Sequence, residues 1–157
     1  MMTIKLTVDS HIAEYIKGKY YDPDYGCVRF PASLDIYILI YDLLSKRPAT
    51  CPIDSGNLEF MLPDRREGKN PEIYNYLSQR AQKLLEDKMR LMMWAELHDL
   101  MDENKHIKGI QFKDSVFIFM SKYGIESISE DALIKNYQRW RDKLRRKNKR
   151  KYSRKAI

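Results

Sequence analysis

The sequence predicts a mostly α-helical α+β fold, with about five helices and a small antiparallel sheet. One basis is the stretch between Pro71 and Gly109, which contains no Gly or Pro and repeats its apolar residues at helical spacing. The other is a set of short strand-like segments, which are too little sheet to stand without helices covering them. With 157 residues and a mass of 18.8 kDa, the chain is long enough to bury one substantial core.

Three segments of the N-terminal half have the pattern of short strands. Residues 3–8 and 57–62 alternate apolar and polar side chains, as half-buried strands do. Residues 27–30 follow the turn signal Asp22-Pro23-Asp24-Tyr25-Gly26. Two or three such strands predict the small sheet.

Three helices are predicted in the same region. Asp9 or Ser10 caps a short one, and residues 34–46 form a second one that Pro48 ends. Asn70 followed by Pro71 predicts the start of a long helix over 71–104. The second half of that helix is apolar over a wide arc, which indicates either the central spine of the fold or a dimer interface, and the two are compatible.

The C-terminal third predicts a pair of helices around a short connection. Residues 111–123 form the first, which Gly124 ends, and Ser129 caps the second, with Glu130 and Asp131 in its first turn. Over residues 111–146 this pattern resembles the helix-turn-helix of small DNA-binding proteins of bacterial mobile elements and prophages. Met120 stands where that motif usually has a small residue. The resemblance implies a DNA-binding unit at 111–146, between a body at 1–110 and a basic tail at 147–157.

Positive charge is concentrated at the C-terminus. Residues 135–157 hold twelve of the 29 Lys and Arg residues and one acid, Asp142, for a charge of +11. The whole chain carries +7, so residues 1–134 carry −4. A cationic end on a mildly acidic body is typical of a protein with a polyanionic partner, most often nucleic acid.

The predicted nucleic-acid contacts fall in two places. Asn136, Gln138 and Arg139 are types that bind base edges, and cations from 143 onward are types that bind phosphates. Arg65, Arg66 and Lys69 precede the predicted helix start at Asn70, where free N–H groups also favour phosphate. The full predicted set is Arg65, Arg66, Lys69, Lys135, Asn136, Gln138, Arg139, Arg141, Lys143, Arg145, Arg146, Lys147, Lys149, Arg150 and Lys151.

The remaining patterns argue against several other classes of protein. The chain has no membrane-length apolar run, and Cys27 and Cys51 are too few for a disulfide framework, so we expect a cytoplasmic protein. Its three histidines form no convincing catalytic or metal-binding pattern, so we expect no enzyme, cofactor or metal.

The leading hypothesis is a non-enzymatic DNA-binding protein. The resemblance implies a homodimeric transcriptional regulator of a mobile element or phage. Two alternatives stay open. One is an assembly or adaptor protein that uses helix 71–104 as its interface, and the other is an RNA or single-strand binder that stacks bases on its tyrosines.

Overall fold

Five helices and two small sheets make up the part of the chain that the structure describes. The computed structural model describes residues 2–64 and 68–155, with side chains as far as residue 150. The predicted α+β class is confirmed. The elements are β1 (Thr3–Leu6), α1 (Ser10–Tyr20), β2 (Tyr21–Asp22), β3 (Cys27–Val28), α2 (Asp35–Leu43), β4 (Ser45–Lys46), β5 (Leu58–Met61), β6 (Tyr74–Tyr76), α3 (Gln79–His106), α4 (Phe112–Tyr123) and α5 (Glu130–Lys155).

The larger sheet has four strands in the order β1-β5-β3-β2. β1 pairs antiparallel with β5, which places Ile4 opposite Phe60, whereas β3 pairs parallel with β5. The sheet is therefore mixed, since its β3–β5 pair is parallel where the sequence predicted antiparallel strands. The reason is the crossover between β3 and β5, which contains α2 and brings the chain back in the same direction.

The smaller sheet is an antiparallel pair of β4 and β6, and both strands lie in segments predicted to be helical. The Asn70-Pro71 signal opens a turn, because the N–H groups of Ile73 and Tyr74 both donate to the Asn70 carbonyl. The chain then extends through β6, and the Ser78 hydroxyl caps α3 by accepting from the Ala81 N–H at 3.2 Å. The predicted helix start at 71 is wrong because pairing with β4 favours an extended chain there.

α3 is the central helix of the core. Leu85, Met89, Met93, Leu97 and Met101 recur every four residues and are 0% exposed. α1, α2 and α4 all pack against this helix, which at 28 residues is about 42 Å long. The apolar arc that the sequence left open between a spine and a dimer interface therefore serves as the spine.

α1 and α4 cross closely at Gly18. A Cβ at Gly18 would lie 2.3 Å from the carbonyl oxygen of Tyr123, so only glycine fits this approach. The ring of Tyr15 lies 5.9 Å from that of Phe119 and 5.1 Å from that of Tyr123. Gly124 follows at a φ of 66°, which confirms the predicted left-handed end of α4.

α5 begins at the predicted cap and runs further than predicted. The Ser129 hydroxyl accepts from the Ala132 N–H at 3.2 Å, and the helix then continues for 26 residues to Lys155, about 39 Å. Leu133 and Tyr137 are buried in the same hydrophobic cluster as Ile4 of β1. The beginning of α5 is therefore part of the main core.

Candidate nucleic-acid interface

α5 has two parts with different surroundings. We call residues 130–141 the packed half, because Leu133 and Tyr137 are fully buried there and Trp140 is half-buried. We call residues 142–155 the outer half. Every residue from 142 to 150 is exposed, including Leu144, which continues the apolar stripe of the packed half and is 42% exposed. The core contacts of α5 therefore end about where its densest run of cations begins.

Arg141 ties the end of the packed half to α3. Its Nη1 lies 2.7 Å from Asp102 Oδ1 and 3.1 Å from the hydroxyl of Tyr137, which itself donates to Asp102. The same Nη1 is 2.6 Å from Nε2 of His106, and because a guanidinium only donates, His106 accepts there. Burial and the hydrogen bond to Asp102 raise the pKa of Tyr137, so its hydroxyl keeps its proton.

Asn136 ties the middle of the packed half to the same helix. Its Oδ1 lies 2.9 Å from Nε2 of His98, whose ring stacks on Trp140 with centroids 4.5 Å apart. Burial lowers the pKa of His98 below its usual range, although the hydrogen bond to Asn136 opposes that shift. A neutral imidazole donates through Nε2, and the Asn136 oxygen accepts.

The structure thus divides the residues predicted on α5. Asn136 and Arg141 are engaged with α3, and the side chain of Lys151 lies outside the described part. The exposed members of the set are Lys135, Gln138, Arg139, Lys143, Arg145, Arg146, Lys147, Lys149 and Arg150.

The second predicted cluster does not precede a helix. Lys69 Nζ donates to the carbonyl oxygens of Tyr41 and Asp42, at 2.9 Å and 2.8 Å. These are among the last carbonyls of α2, where a cation offsets the negative end of the helix dipole. The predicted phosphate site at Lys69 assumed a helix that begins at Asn70, and that premise is wrong, since α3 begins at Gln79 and the Lys69 ammonium caps α2. Arg65 and Arg66 lie outside the described residues.

The outer half has almost no internal neutralisation. Six of the eight residues 143–150 are Lys or Arg, and all six are exposed. Arg145 lies 4.0 Å from Asp142, and its side chain is 72% exposed. Within the described part of the chain the other five make no salt bridge. Like charges three and four residues apart repel one another along the helix, so counter-charge from a partner is favourable.

A groove beside α5 includes residues that the sequence reasoning missed. It encloses about 310 Å³ between the end of α3, the start of α4 and α5. Lys105 and His106 come from α3 and Phe112 from α4, and they face Arg141 and Arg145 across the groove. No local pattern marks these residues as neighbours, because three separate helices supply them. They add a basic and aromatic wall next to the exposed face of α5.

Comparisons with known proteins add no relative. No protein-family model matches the chain, and no curated protein or solved structure matches it at a significant level.

In residues 2–64 and 68–155, no helix combines the length and apolar character needed to cross a membrane. The same residues contain no group of three or more His, Cys, Asp or Glu side chains arranged to hold a metal ion.

Proposed function

We propose that this protein is a non-enzymatic nucleic-acid-binding protein, acting on DNA in the cytoplasm through α5. The observation that carries the proposal is the outer half, where the cations from 143 to 150 are exposed beyond the core and, within the described part of the chain, form a salt bridge only between Arg145 and Asp142. Phosphates are the partner that such a row of cations binds best, since each contact releases a condensed counterion.

The charge of the rest of the chain also favours α5 as the surface that binds nucleic acid. Residues 1–134 carry −4 against +11 for residues 135–157, so a polyanion is repelled by the body and attracted to α5. Glu130 and Asp131 open the helix, and Asn136 and Arg141 are bound to α3. Contact therefore uses the exposed face of the packed half and all of the outer half.

This placement differs from the recognition helix of a helix-turn-helix protein, which contacts bases with its N-terminal residues. The acidic start of α5 makes that mode unfavourable. The resemblance also implies regulation of transcription in a mobile element or phage. That role stays a prediction, and it requires that the protein recognise a specific DNA sequence.

The test is the salt dependence of binding to duplex DNA, before and after truncation following Leu144. If the full chain contacts about six phosphates, log K falls with log salt at a slope of about −5, and truncation flattens it strongly. Because residues 145–150 are exposed, the urea midpoint of the truncated protein should stay the same. A matched control replaces the exposed body lysines Lys83 and Lys113 with Gln and leaves the slope unchanged.

An unchanged affinity and slope after truncation would contradict the proposal. So would a control variant that weakens binding as much as the truncation, since the cations of α5 would then have no special role.

A further inference from the structure

The cations of α5 are arranged in three rows, and arginines form the middle row. Each residue turns a helix by about 100°, so Arg139, Arg146 and Arg150 lie within about 40° of one another. Lys143 and Lys147 lie on one side of this row, and Arg145 and Lys149 on the other. The two flanking pairs are about 160° apart around the helix axis.

The middle row faces away from the body of the protein. It lies about 130° around the helix from the side formed by Leu133, Tyr137 and Trp140, which packs on the core. Arg139, Arg146 and Arg150 are all exposed, and none of them makes a salt bridge in the described part of the chain. A partner can therefore approach this row along its whole length, about 16 Å, without meeting the other helices.

Three rows of this kind fit a groove with two charged walls. The major groove of B-form DNA is about 12 Å wide and admits one helix, with a phosphate backbone on either side. The flanking pairs would face the two backbones, and the arginine row would face the base edges on the floor. A guanidinium forms two hydrogen bonds to O6 and N7 of guanine, which an ammonium cannot reproduce with the same geometry.

We propose that α5 lies in the major groove of duplex DNA, with Arg139, Arg146 and Arg150 directed at guanines over about five base pairs. This inference rests on the proposed nucleic-acid binding and specifies its substrate as B-form duplex. The major groove of A-form RNA is too deep and narrow for side chains to read, and a single strand offers one backbone where the helix presents two flanks.

The first experiment selects bound sequences from a pool of random duplex DNA. Guanine enrichment at two or three positions within about five base pairs is expected. The enriched duplex is then remade with 7-deazaguanine at those positions, which removes the N7 acceptor and keeps the base pairing. Wild-type affinity should fall about tenfold for each contacted guanine that is changed.

The second experiment replaces the arginine row by lysine in the triple variant R139K/R146K/R150K. Its charge is unchanged, so the salt slope should stay the same. Its affinity for the enriched duplex should fall by at least tenfold, and 7-deazaguanine should weaken its binding by a smaller factor than it weakens wild-type binding, because an ammonium contacts N7 without the fixed fork geometry of a guanidinium. The matched control is Arg145→Lys on a flank, which should retain the full sensitivity to 7-deazaguanine.

A third experiment tests the two flanks with a pair of double variants, each of which removes two positive charges. Lys143→Gln with Lys147→Gln, and Arg145→Gln with Lys149→Gln, should each reduce the salt slope by about 2. A helix lying on the outside of one backbone would lose slope in only one of the two variants, which would overturn the groove geometry.

The outcomes separate this inference from the proposed function. Tight duplex binding without sequence enrichment, insensitivity of the wild type to 7-deazaguanine, or equal affinity for single strands would each overturn the inference and leave nucleic-acid binding intact. Absence of binding to every DNA probe, or binding whose affinity and salt slope are unchanged by truncation after Leu144, would instead remove the proposed function itself.

Discussion

The packed half of α5 ends with Arg141, and the outer half has Arg145 four residues later, yet the two arginines have different surroundings. Arg141 contacts Asp102, His106 and Tyr137, whereas the Arg145 side chain is 72% exposed and lies 4.0 Å from Asp142. The difference comes from what lies beside the helix, because α3 and α4 accompany only its first part. A cation is available to an outside partner where the fold leaves it without an internal one.

The largest expected effect that distinguishes the two halves is on stability. Tyr137→Ala removes a fully buried ring and its hydrogen bond to Asp102, so the free energy of unfolding should fall by about 3–5 kcal/mol. Leu144→Ala is the matched control on the same stripe of the helix and should cost less than about 1 kcal/mol, since Leu144 is 42% exposed. Urea denaturation measures both. Equal losses in the free energy of unfolding would mean that the outer half is packed as closely as the packed half.

A matched arginine pair gives the next largest effect. Arg141→Gln should lower the free energy of unfolding by about 1 kcal/mol, because Asp102 and Tyr137 lose their charged partner. Arg145→Gln should change it by less than about 0.5 kcal/mol. For DNA binding we expect the opposite order. Arg145→Gln should flatten the salt dependence of log K by about 0.9, and Arg141→Gln should leave it unchanged. A larger change of slope for Arg141→Gln would return that residue to the binding surface.

The smallest expected effect is a pH dependence from His98, the residue of α3 that contacts Asn136 of the packed half. Burial lowers the pKa of His98 in the folded chain, whereas the unfolded chain keeps a value of about 6.5. Below about pH 6.5 the unfolded chain therefore takes up the proton first. The stability from neutral His98 is complete above that pH and is lost as the pH falls from there through the folded pKa.

Unfolding midpoints between pH 7.5 and 5.5 measure this effect, with His98→Gln as the comparison. The pKa of His11 is also lowered, mainly by burial, but His11 is present in both proteins, so the difference between them isolates His98. An identical pH dependence in the two proteins would show that His98 contributes none of it.

The sequence predicted those features that depend on neighbouring residues along the chain. Gly124 ends α4 in a left-handed conformation, and Ser129 caps α5, both as predicted. The apolar spacing of Leu133 and Tyr137 also placed the buried side of α5 correctly. Caps and helical periodicity act within four residues, so they can be read without knowledge of the fold.

Features that depend on a distant partner were missed. Asn70-Pro71 has the form of a helix start, yet β6 pairs with β4 and the true cap is Ser78. Lys69 has the form of a phosphate ligand, yet it caps α2 some 27 residues earlier in the chain. In both cases the local signal is real, and a contact across the fold decides how the residue is used.

The sequence alone determined that the charge of this protein is segregated, with a basic C-terminal helix following a mildly acidic body. Only the tertiary structure decided which of those basic residues are available. It engages Asn136 and Arg141 with α3 and leaves Arg139, Arg146 and Arg150 exposed on one side of α5. The physical reason is that charge is a property of each residue, whereas pairing and burial depend on which helices the fold places beside it.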